Sequence, residues 1–188
     1  MKKIEISTNV FVPMPVVLVG TRVNGKVNFM TVGWCTRANA NPPMILCGIN
    51  RSHYTSAGIA SIGTFSVNIP SASMVEKTDH CGLVSGKTVN KATVFDVFYG
   101  KLGTAPMIQE CPITLECRLV QTVDLPTNYL FIGEICGAYA DRRFLKEKLP
   151  DFEAIDPLIL TMPDNTYRHL GGIAGTACSA GKKLMERT

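Results

Sequence analysis

The pair Asn24-Gly25, set between two β-rich runs, constrains this chain more than any other local feature. A two-residue type I′ hairpin turn needs positive φ at both central positions, and Asn-Gly is the dipeptide that tolerates this best. Residues 16–23 and 26–38 are therefore expected to be antiparallel neighbours. Asn41-Pro42-Pro43 then forces a turn, and residues 44–50 read as a third apolar strand.

The texture changes after residue 50. Residues 52–61 carry Tyr54 and Ile59 at helical spacing, and Ser52 is placed to cap a helix there. Alternation returns at residues 65–69. A second short helix is expected over 73–84, a strand pair over 113–123 and 128–139, a charged helical turn over 141–149, and strand-like residues broken by glycines over 167–177. Regular helical crossovers are missing, which argues against a doubly wound parallel sheet. The expected fold is mainly β with short helices, a mostly antiparallel barrel, in a single domain spanning residues 1–188. That length lies within the usual domain range.

Composition narrows the function classes. The formal charge of +4 suits a small anionic ligand, but no basic run exceeds two residues, so nucleic acid is not an expected partner. No apolar stretch reaches the ~18 residues of a membrane helix, and no secretory signal is evident, so a cytoplasmic protein without a membrane partner is expected. The seven cysteines are odd in number and none has C-x-x-C spacing. Buried free thiols are expected, and no metal site.

Several fragments imitate catalytic motifs and fail. Gly82 to Thr88 has three residues between its glycines where a phosphate loop needs four. Leu170 stands where a dinucleotide fingerprint needs its first glycine. Ser179 sits in a near nucleophile elbow, yet no histidine follows it. His80-Cys81 places an imidazole beside a thiol without a third orienting group. His53 and His169 read as surface or structural residues. No catalytic side chain is expected.

Four segments hold together as a set. They are Asn28-Phe29-Met30-Thr31-Val32-Gly33-Trp34 leading to Asn41-Pro42-Pro43, then Arg51-Ser52-His53-Tyr54-Thr55 with residues 62–68, then Asp79-His80-Cys81-Gly82 with Ser85-Gly86-Lys87 and Lys91, and finally Tyr167 with Leu170-Gly171. Their order and spacing resemble the flavin reductase-like family of FMN-binding split barrels, and most of all its flavoredoxin branch, over nearly the whole chain. The resemblance implies a homodimer of six-stranded antiparallel Greek-key barrels that hold FMN near the subunit interface. It implies an oxidoreductase in which NADH, NADPH or a reduced protein donor passes electrons through the flavin to an acceptor. An FMN electron carrier or flavin store without direct nicotinamide activity is the alternative.

The residues can be matched to the parts of FMN. Arg51 offers a planar fork of donors to a phosphate, Ser52 and Thr55 offer hydroxyls, and Ser85, Lys87 and Lys91 add donors and charge. A helix opening near Ser52 would aim free N–H groups at the same place. Asn28 and the run Met30, Thr31, Val32, Gly33 and Trp34 lie on one strand and suit the rim and face of a flat ring. Asn68 and Tyr167 complete the set of expected contacts. The flavin would carry the chemistry, which accounts for the lack of an acid–base pair.

Overall fold

The computed structural model describes residues 1–10 and 12–185. Its centre is one seven-stranded antiparallel sheet. The strands are β1 (Val17–Val23), β2 (Lys26–Val32), β3 (Cys35–Asn39), β4 (Met44–Asn50), β5 (Thr64–Ile69), β6 (Ile113–Asp124) and β7 (Asn128–Ala140), in the spatial order β2-β1-β5-β6-β7-β4-β3. β5, β6 and β7 are successive neighbours, and β4 lies beside β7, which is a Greek-key arrangement. Two helices matter for the site: α1 (Tyr54–Ile62) and α2 (Val75–Leu83).

The hairpin expected at Asn24-Gly25 is present. Both residues have positive φ, 51° and 77°, and Val23 pairs with Lys26 across the turn. The returning strand differs from its expected extent. Residues 26–38 do not form one strand: the chain bends at Gly33-Trp34, and β2 and β3 go to opposite ends of the sheet. The six strands expected become seven because one stretch of chain supplies both edges. A continuous extended segment thus closes the sheet on itself.

Packing shows that closure. Val17 and Val19 of β1, Val32 of β2, Cys35 of β3, Cys47 and Ile49 of β4, Phe65 and Val67 of β5, Cys117 of β6 and Phe131 of β7 share one apolar core. All seven strands meet there, so the sheet is curled into a barrel. Alternation along β1 sends Leu18 the other way, where it joins Phe29, Met74, Cys81, Phe95, Ile108 and Cys111 beneath α2. Phe29, Phe65 and Phe131 are fully buried, and each contributes roughly 1.5–3 kcal/mol of transfer free energy.

The expected helix over 73–84 is a short 3₁₀ turn, Ala72–Met74, followed by α2. The charged segment after residue 140 forms a 3₁₀ turn, Arg142–Phe144, and then a two-stranded hairpin, Leu145–Lys146 with Leu149–Pro150. Of residues 167–177, the first two belong to a strand, Thr166–Arg168, in a small sheet with Met14–Pro15 and Ile159–Thr161.

Candidate functional site

Asn28, Met30 and Val32 alternate onto the barrel side of β2, and that side opens into a cleft. The cleft has two lobes. One, of about 380 Å3, is lined by Met30, Thr31, the turn Ser52–Thr55, the end of α2 and residues 82–87 and 91. The other, of about 210 Å3, runs along the seam between β2 and β4, with Trp34, Gly48 and Asn128 on its walls. Met30, Thr31 and His53 line both, so the lobes adjoin.

The first lobe is cationic. α1 points its N-terminus into it, and the first N–H groups of a helix have no intrahelical acceptor. Lys91 is 4% exposed and its Nζ donates to the carbonyl oxygens of Cys81 at 2.9 Å and Val84 at 3.2 Å. A carbonyl from the last turn of α2 and one from the residue after it thus hold a buried ammonium at the wall, and its burial lowers its pKa from the ordinary lysine value. Lys87 is exposed at the rim, on a turn in which Ser85 Oγ accepts from the Lys87 N–H. Desolvation in the cleft, and then the Lys91 charge, push the His53 imidazole below its usual pKa.

Asn28 lies behind this lobe. Its Nδ2 donates to Thr55 Oγ1 at 2.8 Å, which joins β2 to the first turn of α1. Its Oδ1 is buried without a hydrogen-bond partner. A Cβ at Gly86 would come within 2.0 Å of that oxygen, so only glycine lets the 85–87 turn lie over the amide.

The second lobe is flatter. Trp34 packs against the Gly48 backbone, where an added Cβ would stand 3.3 Å from the Trp34 Cβ. The indole is 46% exposed. Thr31 Oγ1 donates to the Thr78 carbonyl oxygen and ties β2 to α2.

The structure therefore brings together Asn28, Met30, Thr31, Val32, Gly33, Trp34, Ser52, Thr55, Ser85, Lys87 and Lys91. It does not bring the other three side chains to the cleft walls. Arg51 turns to the β6–β7 connection, pairing with Asp124 and donating from Nε to the Leu125 carbonyl at 2.8 Å, with its guanidinium over the Tyr129 ring. Asn68 is spent inside the fold, donating to Leu18 O and accepting from the Ile108 N–H. The Tyr167 hydroxyl donates to Asp79 of α2 at 2.9 Å, and burial, with that bond, pushes its pKa up to about 12.

Ser52 is not the cap of α1. His53 occupies that position, while the Ser52 hydroxyl donates to Asn50 Oδ1 at 2.8 Å. Asn50 organises the turn, since its side chain also accepts the Ser52 N–H. Sequence reasoning missed His53, Gly48, Asn50 and Asn128 as cleft residues. Asn128 reaches the seam because it pairs with Asn50 across β7 and β4, a register no local pattern reveals.

The protein-family model described as Flavin reductase like domain matches residues 10–170. The chain belongs to the flavin reductase-like family. Among solved structures, this family member is similar to a flavoredoxin from Methanosarcina acetivorans, with 56% identity and a TM-score of 0.96 over 98% of this chain and 100% of that one. It is also similar to the flavoredoxin of Desulfovibrio vulgaris (Miyazaki F), with 30% identity and a TM-score of 0.89 over 96% and 100%. A protein of Archaeoglobus fulgidus is 32% identical over 112 residues, which are 58% of this chain and 63% of that relative's length. The split-barrel fold expected from the resemblance is thus the fold of the flavin reductase-like neighbours.

Proposed function

We propose that the two-lobed cleft binds FMN and that the protein passes electrons through it, as a flavoredoxin-type oxidoreductase of one domain. The observation that carries this reading is the pairing of unlike lobes on one strand. A cationic pocket at a helix N-terminus suits a phosphate, and a flat pocket beside Trp34 suits an aromatic ring. The names of the similar flavoredoxins support the same reading.

The residues present fit the group. The buried Asn28 Oδ1 lacks a partner, and Gly86 leaves the space that a bulkier residue would fill. Thr55, the α1 N–H groups, Lys91 and Lys87 would hold the phosphate end. The Met30–Trp34 segment would orient the ring, with backbone donors and acceptors at the unpaired outer edge of β2 meeting its polar rim. The bound flavin supplies reversible two-electron chemistry. His53 stands at the junction of the lobes, where desolvation and then the Lys91 charge disfavour its charged form.

The nicotinamide step separates an NAD(P)H-dependent reductase from an electron carrier served by a protein donor. Purified protein titrated with FMN should bind one flavin per chain, with a shifted visible spectrum. A protein that leaves the free FMN spectrum unchanged would end this reading. Anaerobic addition of NADH or NADPH to the loaded protein then decides the donor: bleaching indicates a reductase, and lasting colour indicates the carrier. The resemblance also carries the expectation of a homodimer, which analytical ultracentrifugation tests.

A further inference from the structure

Two of the buried thiols face each other beside the cleft. Cys35 of β3 and Cys47 of β4 are directly opposite in register, and their Sγ atoms are 3.5 Å apart. The flanking Gly48 N–H donates to the Trp34 carbonyl at 2.8 Å, while the Cys35 N–H bonds to Gly33 O. The two cysteines are therefore a non-hydrogen-bonded pair, the antiparallel position where side chains approach most closely. Disulfide formation needs Cβ atoms about 3.5–4.5 Å apart, a range this pair position approaches. β3 is an edge strand, so the pair lies one strand from the sheet's end.

We propose that Cys35 and Cys47 are an oxidisable pair, closed to a disulfide by small oxidants of the peroxide class. The proposal does not rest on flavin binding. Cys35 Sγ attacks one peroxide oxygen, the O–O bond breaks, and one water leaves with the thiol proton. Cys47 Sγ then attacks Cys35 Sγ, the S–O bond of the sulfenic acid breaks, and a second water leaves. The two thiols lose two electrons and two protons, and hydrogen peroxide becomes two waters. The hydrogen bond to Cys35, followed by burial, raises the Cys47 thiol pKa, so Cys35, the less buried of the two, is the thiol that meets the peroxide first.

The consequence reaches the cleft. Trp34 precedes Cys35, Gly48 follows Cys47, and these two neighbours form one wall of the flat lobe. A cross-link would fix that wall. Trp34 is also the single tryptophan of the chain, and its emission reports the bond because disulfides quench nearby indoles.

The test is made on the protein as purified, treated with hydrogen peroxide and digested without reduction. The expected result is a cross-linked peptide pair carrying Cys35 and Cys47, two fewer titratable thiols per chain, and a loss of Trp34 emission that dithiothreitol restores. In Cys35→Ser the emission loss should vanish. Recovery of Cys35 and Cys47 as free thiols once other cysteines are oxidised would overturn the proposal. So would a cross-link from Cys47 to Cys117, which shares its core, or an emission loss of equal size in Cys35→Ser. Peptide mapping of the wild type needs no variant to fold.

Discussion

Asn28 and Gly86 touch so closely that a single methyl group tests the cationic lobe as a binding site. In Gly86→Ala the new Cβ would enter the Asn28 amide and press on Tyr54, breaking the Asn28–Thr55 bond or lifting the turn. FMN affinity should fall by about 1–3 kcal/mol, the cost of leaving buried polar groups unpaired, while the barrel stays folded. Fluorescence titration with FMN checks this. Lys91→Met should weaken FMN by a similar amount and also destabilise the end of α2, since the Cys81 and Val84 carbonyls lose their donor. Titration and thermal melting read the two effects separately. At this scale the sequence was informative about residue type and poor about direction. Thr55, Lys87 and Lys91 could be singled out because hydroxyls and ammonium groups are what a phosphate needs. Arg51 meets the same need, yet its guanidinium finds Asp124, 73 positions along the chain, and that meeting depends on how β6 and β7 turn.

Elements succeed or fail by backbone approach. Gly58 of α1 faces β1 so closely that a Cβ would stand 2.6 Å from the Arg22 carbonyl and 2.7 Å from Thr21 and Val23 side-chain carbons. Gly58→Ala should push α1 off the barrel and cost about 1–3 kcal/mol by overpacking, seen as a lower Tm. It should weaken FMN too, because α1 carries Thr55 and its N–H groups to the lobe. The sequence made the hairpin legible, since Asn24-Gly25 dictates its own φ angles, and it made the long β6–β7 pair legible through alternation. The bend at Gly33-Trp34 was not legible. Gly33 is the one interruption in the β pattern from 26 to 38, but a lone glycine in a strand marks a bulge as readily as a bend, and the division between two sheet edges is a property of barrel closure.

Across the molecule, one buried carboxylate ties distant parts together. Glu116 of β6 accepts from the N–H groups of Lys101 and Leu102, each at 2.9 Å, and from the Tyr139 hydroxyl of β7 at 2.6 Å. Burial alone would raise its pKa, but the Tyr139 bond and the two N–H groups outweigh that and hold it below the usual glutamate value. A depressed folded-state pKa stabilises the protein above the unfolded-state value, about 4.3, and that stability is lost as pH falls through the folded value. Urea unfolding should therefore show stability declining below about pH 4.3, and Glu116→Gln should flatten this acid limb. Tyr139→Phe should move the limb towards higher pH by removing one of the bonds that favour the charged form. The closure at Gly33-Trp34 bears on how the whole barrel moves. β2 and β3, the two edges of the sheet, are joined by a bend of the main chain and not by a hydrogen-bond ladder. No strand pairing joins β2 to β4, so a guest in the slot beside Trp34 has no hydrogen-bond ladder to break there, and its entry leaves the register of the cylinder intact.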